Sequence, residues 1–173
     1  NFENSKNTEL KTDLLVKKLD EIISNSNSDY EIISILKDLR AFILRQKSLD
    51  IPIGPCHGDL TLSNVIISSS GSLNLIDFLP SFIETPLWDV VKIYQDLVYG
   101  WSYRDLKGPE RASAKLFFLN CLPNQIQLYE RVMRKEIFIF DALNLSRLSP
   151  YVKDSNTRDW LLCNLRNALN KLK

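Results

Sequence analysis

Residues 56–67 read CHGDLTLSNVII, and residues 75–78 read LIDF. Short apolar runs end the first segment and open the second, and residues 68–72 between them, SSSGS, are typical of a turn. The pattern predicts a β-hairpin with a polar loop that enters its first strand. In a hairpin, the start of the first strand and the end of the second lie at the same edge. Asp59, Asn64 and Asp77 are therefore expected to lie close together.

These three side chains suit a metal site beside a proton acceptor. Mg²⁺ prefers oxygen ligands and usually takes one or two carboxylates together with phosphate oxygens. The amide oxygen of Asn64 and the carboxylate of Asp77 meet that need. Asp59, five residues before Asn64, is then available to accept a proton from an attacking hydroxyl group.

Outside the hairpin, the chain has the apolar periodicity of amphipathic helices. Ser28 with Glu31 matches a capping box at a helix start, and Pro52 and Pro55 interrupt the helical pattern. The fold class predicted is α+β and mostly α, with helices packed around one small hairpin. Six helices are predicted, at about residues 10–23, 28–43, 88–98, 109–121, 124–148 and 156–172.

Composition narrows the range of functions. The 173 residues carry 22 Lys and Arg against 21 Asp and Glu, a net charge of +1, so nucleic acid is not an expected partner. No apolar run reaches the roughly 18 residues of a membrane span, and no membrane partner is expected. Three scattered cysteines without metal-ligand spacing suggest reduced thiols and a cytoplasmic location.

The hairpin segment resembles the catalytic loop and metal-binding strand of the aminoglycoside phosphotransferase and choline kinase superfamily, which is related to the protein kinases. His57-Gly58-Asp59 is similar to the His-Gly-Asp of that family, and Asn64 and Asp77 match its metal-binding positions. The resemblance implies a protein-kinase-like C-terminal lobe. It also implies ATP as the phosphoryl donor, Mg²⁺ as the cofactor, Asp59 as the catalytic base, and Asn64 and Asp77 as the metal ligands.

Further roles follow from the same resemblance. The family has an acidic residue early in the next helix that supports the catalytic loop, and Asp89 in Trp88-Asp89-Val90-Val91 matches it. His57 is expected to support the loop as well. Relatives hold the acceptor beside the loop, near the later helices. The candidate substrate-binding residues are Glu84, Asp96, Trp101 and Tyr103.

The resemblance also defines a domain prediction. Residues 1–173 are expected to form one C-terminal lobe, with a helical lead-in at 1–50, the catalytic loop and hairpin at 51–80, and a helical remainder at 86–173. The Gly-rich phosphate loop and paired Lys of an N-terminal nucleotide-binding lobe are not found. We therefore expect that lobe to be missing from the sequence, and this fragment alone to be inactive.

Three functions remain open from the sequence. The first is an ATP-dependent phosphotransferase that acts on a hydroxyl group of a small molecule. Its acceptor is an amino alcohol like choline or ethanolamine, a sugar, or an aminoglycoside-like compound. The second is a non-catalytic, kinase-like interaction module. The third, a protein kinase, is less favoured because Leu79 stands where Asp-Phe-Gly requires glycine and no Ala-Pro-Glu follows.

Overall fold

The computed structural model describes residues 6–26, 29–120 and 124–172. The predicted class, α+β and mostly α, is confirmed: short strands form two-stranded sheets, and helices make up most of the rest. None of the helices in these described segments is long and apolar enough to cross a membrane. In chain order the elements are β1 (Lys6–Lys11), α1 (Asp13–Asn25), α2 (Tyr30–Arg45), β2 (Ser48–Ile53), β3 (Val65–Ile67), β4 (Leu73–Leu75), α3 (Leu87–Leu97), α4 (Gly108–Asn120), α5 (Asn124–Val132), α6 (Arg134–Ser146) and α7 (Ser155–Lys171).

The chain divides into two compact units. One is built mainly on Pro52–Val132, and the other on Thr8–Ile51 together with Met133–Lys173. The catalytic-loop segment and the hairpin both belong to the first of these, which we call the hairpin unit. The expected organisation of the whole chain as one kinase-like lobe stays a prediction.

The second unit is a helical core formed by α1, α2, α6 and α7. On α2 the buried side chains, Ile32, Leu36, Leu39 and Ile43, recur every three or four residues and form one apolar stripe. α6 is different, because every residue from Ile137 to Ser146 is buried. A helix buried on all its sides lies at the centre of its unit.

The start of α2 is capped by Asp29, and this corrects the capping box expected at Ser28. The Asp29 carboxylate accepts hydrogen bonds from the backbone N–H groups of Glu31 and Ile32, both at 3.1 Å. It also pairs with Arg158 of α7 at 2.5 Å. Ser28 itself lies outside the described residues. Ser and Asp are both good caps, so residue type alone does not distinguish two neighbouring candidates.

Asp29 gives a test of the helical unit. The hydrogen bond from Arg158 lowers the pKa of the Asp29 carboxyl below 3.8. A carboxyl group whose pKa is lower in the folded than in the unfolded protein stabilises the fold at pH values above its unfolded-state pKa. This contribution is lost as the pH falls through the folded-state pKa. We expect Asp29→Ala to reduce the free energy of unfolding at pH 7 by about 1–2 kcal/mol. Urea denaturation of the wild type and the variant measures this difference in the free energy of unfolding.

Asp29→Asn is the matched control, because Asn still caps a helix but cannot form the ion pair. Its stability deficit is expected at pH 6–7 and should disappear as the pH falls below 3.8. A deficit for Asp29→Asn that stayed constant down to acidic pH would contradict the assigned ion pair.

Some bounds of the helices and strands also differ from the sequence prediction. The helix expected at 124–148 is two helices, because the Met133 backbone, at φ −119° and ψ 39°, is not helical. β1 and β2 were not predicted, and β1 contains Leu10, which was expected on the first helix. β2 also contains Pro52. Because β1 and β2 form a two-stranded sheet, both are edge strands, where proline is tolerated.

The hairpin unit contains the predicted hairpin, and most residues of both its strands are exposed. β3 and β4 pair antiparallel, with Val65 opposite Leu75 and Ile67 opposite Leu73. In the turn between them, Gly71 has a φ of +81°, a value that favours glycine. The helix predicted after Pro86 is α3, and Leu87, Trp88, Val90 and Val91 are all buried on it.

Candidate active site

The two predicted metal ligands emerge at one end of the hairpin. The N–H of Ile76 donates a hydrogen bond to the backbone oxygen of Asn64 at 3.1 Å, which continues the β3–β4 pairing by one step. Asp77 is the next residue after Ile76. The hairpin therefore brings the backbones of Asn64 and Asp77 together, as the strand pattern predicted.

Asp77 has a backbone conformation that is unusual for its residue type. Its φ is +57°, and it is the one non-glycine residue with positive φ in the described part of the chain. Asp and Asn tolerate this left-handed region better than other non-glycine residues, and such conformations cluster at functional sites. The Asp77 side chain is exposed. Its carboxylate can therefore be reached by a ligand.

The carboxylate of Asp59 is held from two sides. Lys92 Nζ lies 2.9 Å from Asp59 Oδ1. Asn64 Nδ2 donates to Asp59 Oδ2 at 3.2 Å and to the Asp59 backbone oxygen at 2.8 Å. The Asp59 side chain is 28% exposed, whereas that of Lys92 is 9% exposed. The carboxylate can thus meet a substrate while its cationic partner stays covered.

Asp89 supports the loop that leads to Asp59. Its carboxylate accepts hydrogen bonds from the N–H groups of His57, at 2.9 and 3.1 Å, and of Gly58, at 3.0 Å. Burial raises the pKa of the Asp89 carboxyl, and these two donors oppose the rise. This contact has the geometry that the resemblance implied for Asp89.

His57 is packed inside the same loop. It is 3% exposed, and its ring stacks on Phe78 with a centroid distance of 4.2 Å. The Asp59 N–H donates to His57 Nδ1 at 3.4 Å, and the N–H of Leu79 donates to the His57 backbone oxygen at 2.9 Å. These contacts tie the catalytic loop to the residues that follow Asp77.

Asp96 is positioned differently from the role expected for it. It is 0% exposed. Its Oδ2 accepts from the N–H of Leu62 at 2.6 Å, and its Oδ1 accepts from the Ser102 hydroxyl at 2.6 Å. Both carboxylate oxygens are therefore used inside the protein. This geometry supports a role in holding the catalytic loop, and it does not favour direct contact with an acceptor.

The other three candidate substrate-binding residues differ in how far they are exposed to solvent. Glu84 is exposed. Trp101 is half-buried, with the Arg104 guanidinium 4.0 Å from its ring centroid. Tyr103 is buried, and its hydroxyl donates to the Leu97 backbone oxygen at 3.3 Å. Glu84 and Trp101 thus remain accessible for substrate binding, whereas Tyr103 is part of the packed interior.

A cavity of about 520 Å³ lies behind the loop residues that follow Asp59. Its wall combines the loop, the hairpin, α3 and α4, and it is almost entirely apolar. Asp96 borders the cavity although its own surface is covered. The lining residues include Leu60, Leu62, Val65, Leu75, Ile93 and Phe118.

The residue that sequence reasoning missed is Lys92. It lies on a helix whose other residues are mostly apolar, three positions after Asp89 and four before Asp96. Polar residues at this spacing share one helix face. This polar stripe on an otherwise mostly apolar helix was the sequence feature that could have identified Lys92. All three residues of the stripe contact the loop around Asp59.

The fold and the site together define a class. The described residues are mostly helical with one short hairpin in the hairpin unit, and an acid, an amide and a second acid lie around one end of that hairpin, as expected for a kinase-like phosphotransferase. A model of the phosphotransferase enzyme family matches residues 8–119, well over half of the chain. The chain therefore belongs to this family, and the resemblance drawn from its motifs is confirmed. No curated protein and no solved structure matches it.

Proposed function

We propose that the chain is the catalytic lobe of an ATP-dependent phosphotransferase whose acceptor is a hydroxyl group of a small molecule. The observation that carries the proposal is the environment of Asp59. Its carboxylate is partly exposed, is held by Lys92 and Asn64, and follows a loop supported by Asp89. A reachable carboxylate in a defined orientation is what general base catalysis requires.

The proposed role of Asp59 is to orient the acceptor hydroxyl and take its proton. The acceptor oxygen forms a bond to the γ-phosphorus of ATP as the bond from that phosphorus to the β–γ bridging oxygen breaks. ADP leaves, and the proton passes to the Asp59 carboxylate. Because the protein forms no covalent bond in this step, positioning and charge provide the rate enhancement.

Asn64 and Asp77 are the proposed Mg²⁺ ligands, and their chemistry fits that ion. The Asn64 amide nitrogen is engaged by Asp59, so its Oδ1 is the atom offered to a ligand. Asp77 contributes an exposed carboxylate. The described residues hold no group of three or more His, Cys, Asp or Glu that could bind a metal, and an amide with one carboxylate suits an ion that also takes phosphate oxygens. Bound there, Mg²⁺ supplies positive charge to the phosphates.

The acceptor class is proposed from the two candidate substrate-binding residues that stay accessible. Glu84 offers an exposed carboxylate and Trp101 a half-buried aromatic ring. An exposed carboxylate can attract an amine or quaternary ammonium group through its charge, whereas the Trp101 ring already carries the Arg104 guanidinium 4.0 Å from its centroid. An amino alcohol therefore suits Glu84, and sugars and aminoglycosides are the other acceptors to assay.

Thermal unfolding with Mg²⁺ and ATP tests the nucleotide site. In the full-length protein, ligand at about a hundred times its dissociation constant should stabilise the fold by roughly 2.7 kcal/mol. For a protein of this size, that amounts to a rise in Tm of several degrees. We expect Asp77→Asn to reduce the rise strongly, because the variant loses the carboxylate charge while Asn still tolerates the positive φ.

The controls are ATP with EDTA, which should give a much smaller rise, and Asp105→Asn, which removes an exposed carboxylate elsewhere in the hairpin unit. Asp105→Asn should respond as wild type does. Absence of any Mg²⁺-dependent rise in the wild-type protein would favour the non-catalytic interaction module over the enzyme.

A further inference from the structure

Helix α3 presents one polar face to the catalytic loop. Its three polar residues on this face contact the loop at successive points. Asp89 binds the N–H groups before Asp59, Lys92 binds the Asp59 side chain, and Asp96 binds the N–H of Leu62 after it. The spacing of three and four residues places all three on one side of the helix.

Lys92 is the member of this set that contacts the proposed base itself. Residues 60–63 of the loop, LTLS, contain no basic side chain. The positive charge beside Asp59 comes instead from α3, 33 positions further along the chain. Because Lys92 is almost fully covered, water screens its attraction for Asp59 only weakly.

We propose that Lys92 is a positioning residue for phosphoryl transfer, acting through Asp59; this rests on the proposed function. Lys92 holds Oδ1 while Asn64 holds Oδ2, so that the carboxylate plane is defined from both sides. A carboxylate has about four lone-pair directions. Two are used by these donors, which leaves room for the acceptor hydroxyl on the exposed side.

The loop with its hairpin and the helix α3 therefore have different roles in the proposed site. The loop and hairpin carry the groups that meet the substrates, and α3 determines their orientation. A base that rotates away from the acceptor loses rate even when both substrates still bind. Loss of Lys92 should therefore lower kcat much more than it changes KM.

A double-mutant cycle tests the contact independently of activity. The proteins are wild type, Asp59→Asn, Lys92→Met and the double variant, each unfolded with urea. Asp59→Asn should destabilise, because it removes the negative charge beside a covered ammonium. In the Lys92→Met background the same change should shift the unfolding equilibrium constant about tenfold less, since Met resembles the lysine stem in size and carries no charge.

Kinetics of the same set test the positioning role. With ATP, Mg²⁺ and either an accepted hydroxyl compound or water, Lys92→Met should reduce kcat about tenfold or more. Its KM for ATP should stay within about twofold of wild type. Lys92→Arg keeps the charge and should recover a large part of kcat. In the Asp59→Asn background, Lys92→Met should have no further effect on kcat, because Lys92 acts through Asp59.

Lys115→Met, on the exposed surface of α4, is the matched control for loss of a lysine in this unit. It should behave as wild type in both experiments. Wild-type kcat in Lys92→Met would overturn the positioning role, and additive stability effects would overturn the contact. A full-length wild-type protein that neither binds Mg²⁺ with ATP nor transfers phosphate would overturn the proposed function and with it the positioning role. Coupling in the cycle would then identify the ion pair as purely structural.

Discussion

Asp59→Asn should lower kcat for phosphoryl transfer by about 10²- to 10⁴-fold, the range that a positioned general base contributes. The variant keeps the size and shape of the side chain but cannot take the acceptor proton at ordinary pH. The KM for ATP and the Mg²⁺-dependent rise in Tm should change little, since Asn64 and Asp77 are the proposed metal ligands. The measurement is ADP production by the full-length protein with amino alcohols, sugars and aminoglycosides as acceptors.

Two controls make the result specific to Asp59. Asp105→Asn, a change at an exposed carboxylate of the hairpin unit, should retain wild-type kcat. A peptide substrate assayed beside the small acceptors separates a protein kinase from the proposed enzyme. Unchanged turnover in Asp59→Asn would remove Asp59 from the chemistry, and preferred transfer to the peptide would replace the proposed acceptor class.

Gly58→Ala should have the largest effect on stability of any change in the catalytic loop. Gly58 has a φ of +80°, and a Cβ added there would lie 2.2 Å from the backbone oxygen of Leu79. A left-handed backbone costs a non-glycine residue about 1–2 kcal/mol, and forced overpacking adds about 1–3 kcal/mol. We expect a loss of about 2–5 kcal/mol in the free energy of unfolding, measured by urea denaturation.

The hairpin turn offers a matched control for this prediction. Gly71 has nearly the same φ, +81°, but a Cβ there would meet no atom within 4 Å. Gly71→Ala therefore carries only the backbone cost of about 1–2 kcal/mol. Equal losses for the two variants would show that the close approach of the Gly58 loop to Leu79 is not rigid.

The backbone of the proposed site was largely predictable because its signals are local. A turn sequence between two short apolar runs predicts a hairpin, and the hairpin brings Asn64 and Asp77 to one end. The five-residue step from Asp59 to Asn64 is short enough that both must lie in one loop. Their chemical roles stay predictions until the variants are measured.

Errors occurred where a choice depended on packing rather than on residue type. Around Met133 no Gly or Pro indicates the break between α5 and α6. β1 and β2 were missed because Leu10 fits an apolar helical stripe as well as a strand. Asp29 rather than Ser28 caps α2, and the Arg158 pairing that engages Asp29 joins residues 129 positions apart.

The roles of Asp96 and Lys92 within the site also depended on packing and could not be predicted from residue type. As sequence positions, both are charged residues on the helix after the loop. One was expected to face the acceptor, and the other was not expected to take part. Burial and contact distances reverse this: Asp96 is covered, with both oxygens bonded, and Lys92 reaches the Asp59 carboxylate.

The family of this protein, the hairpin and the positions of the acid, amide and acid around it could be inferred from the residues alone. These depend on short-range spacing and strand pairing, which neighbouring residues dictate. How α3 holds the loop becomes visible only in the folded chain, because a charged side chain has no fixed role until its partners surround it. Burial makes those partners matter, since a covered charge must find its counter-charge or hydrogen bonds within the protein.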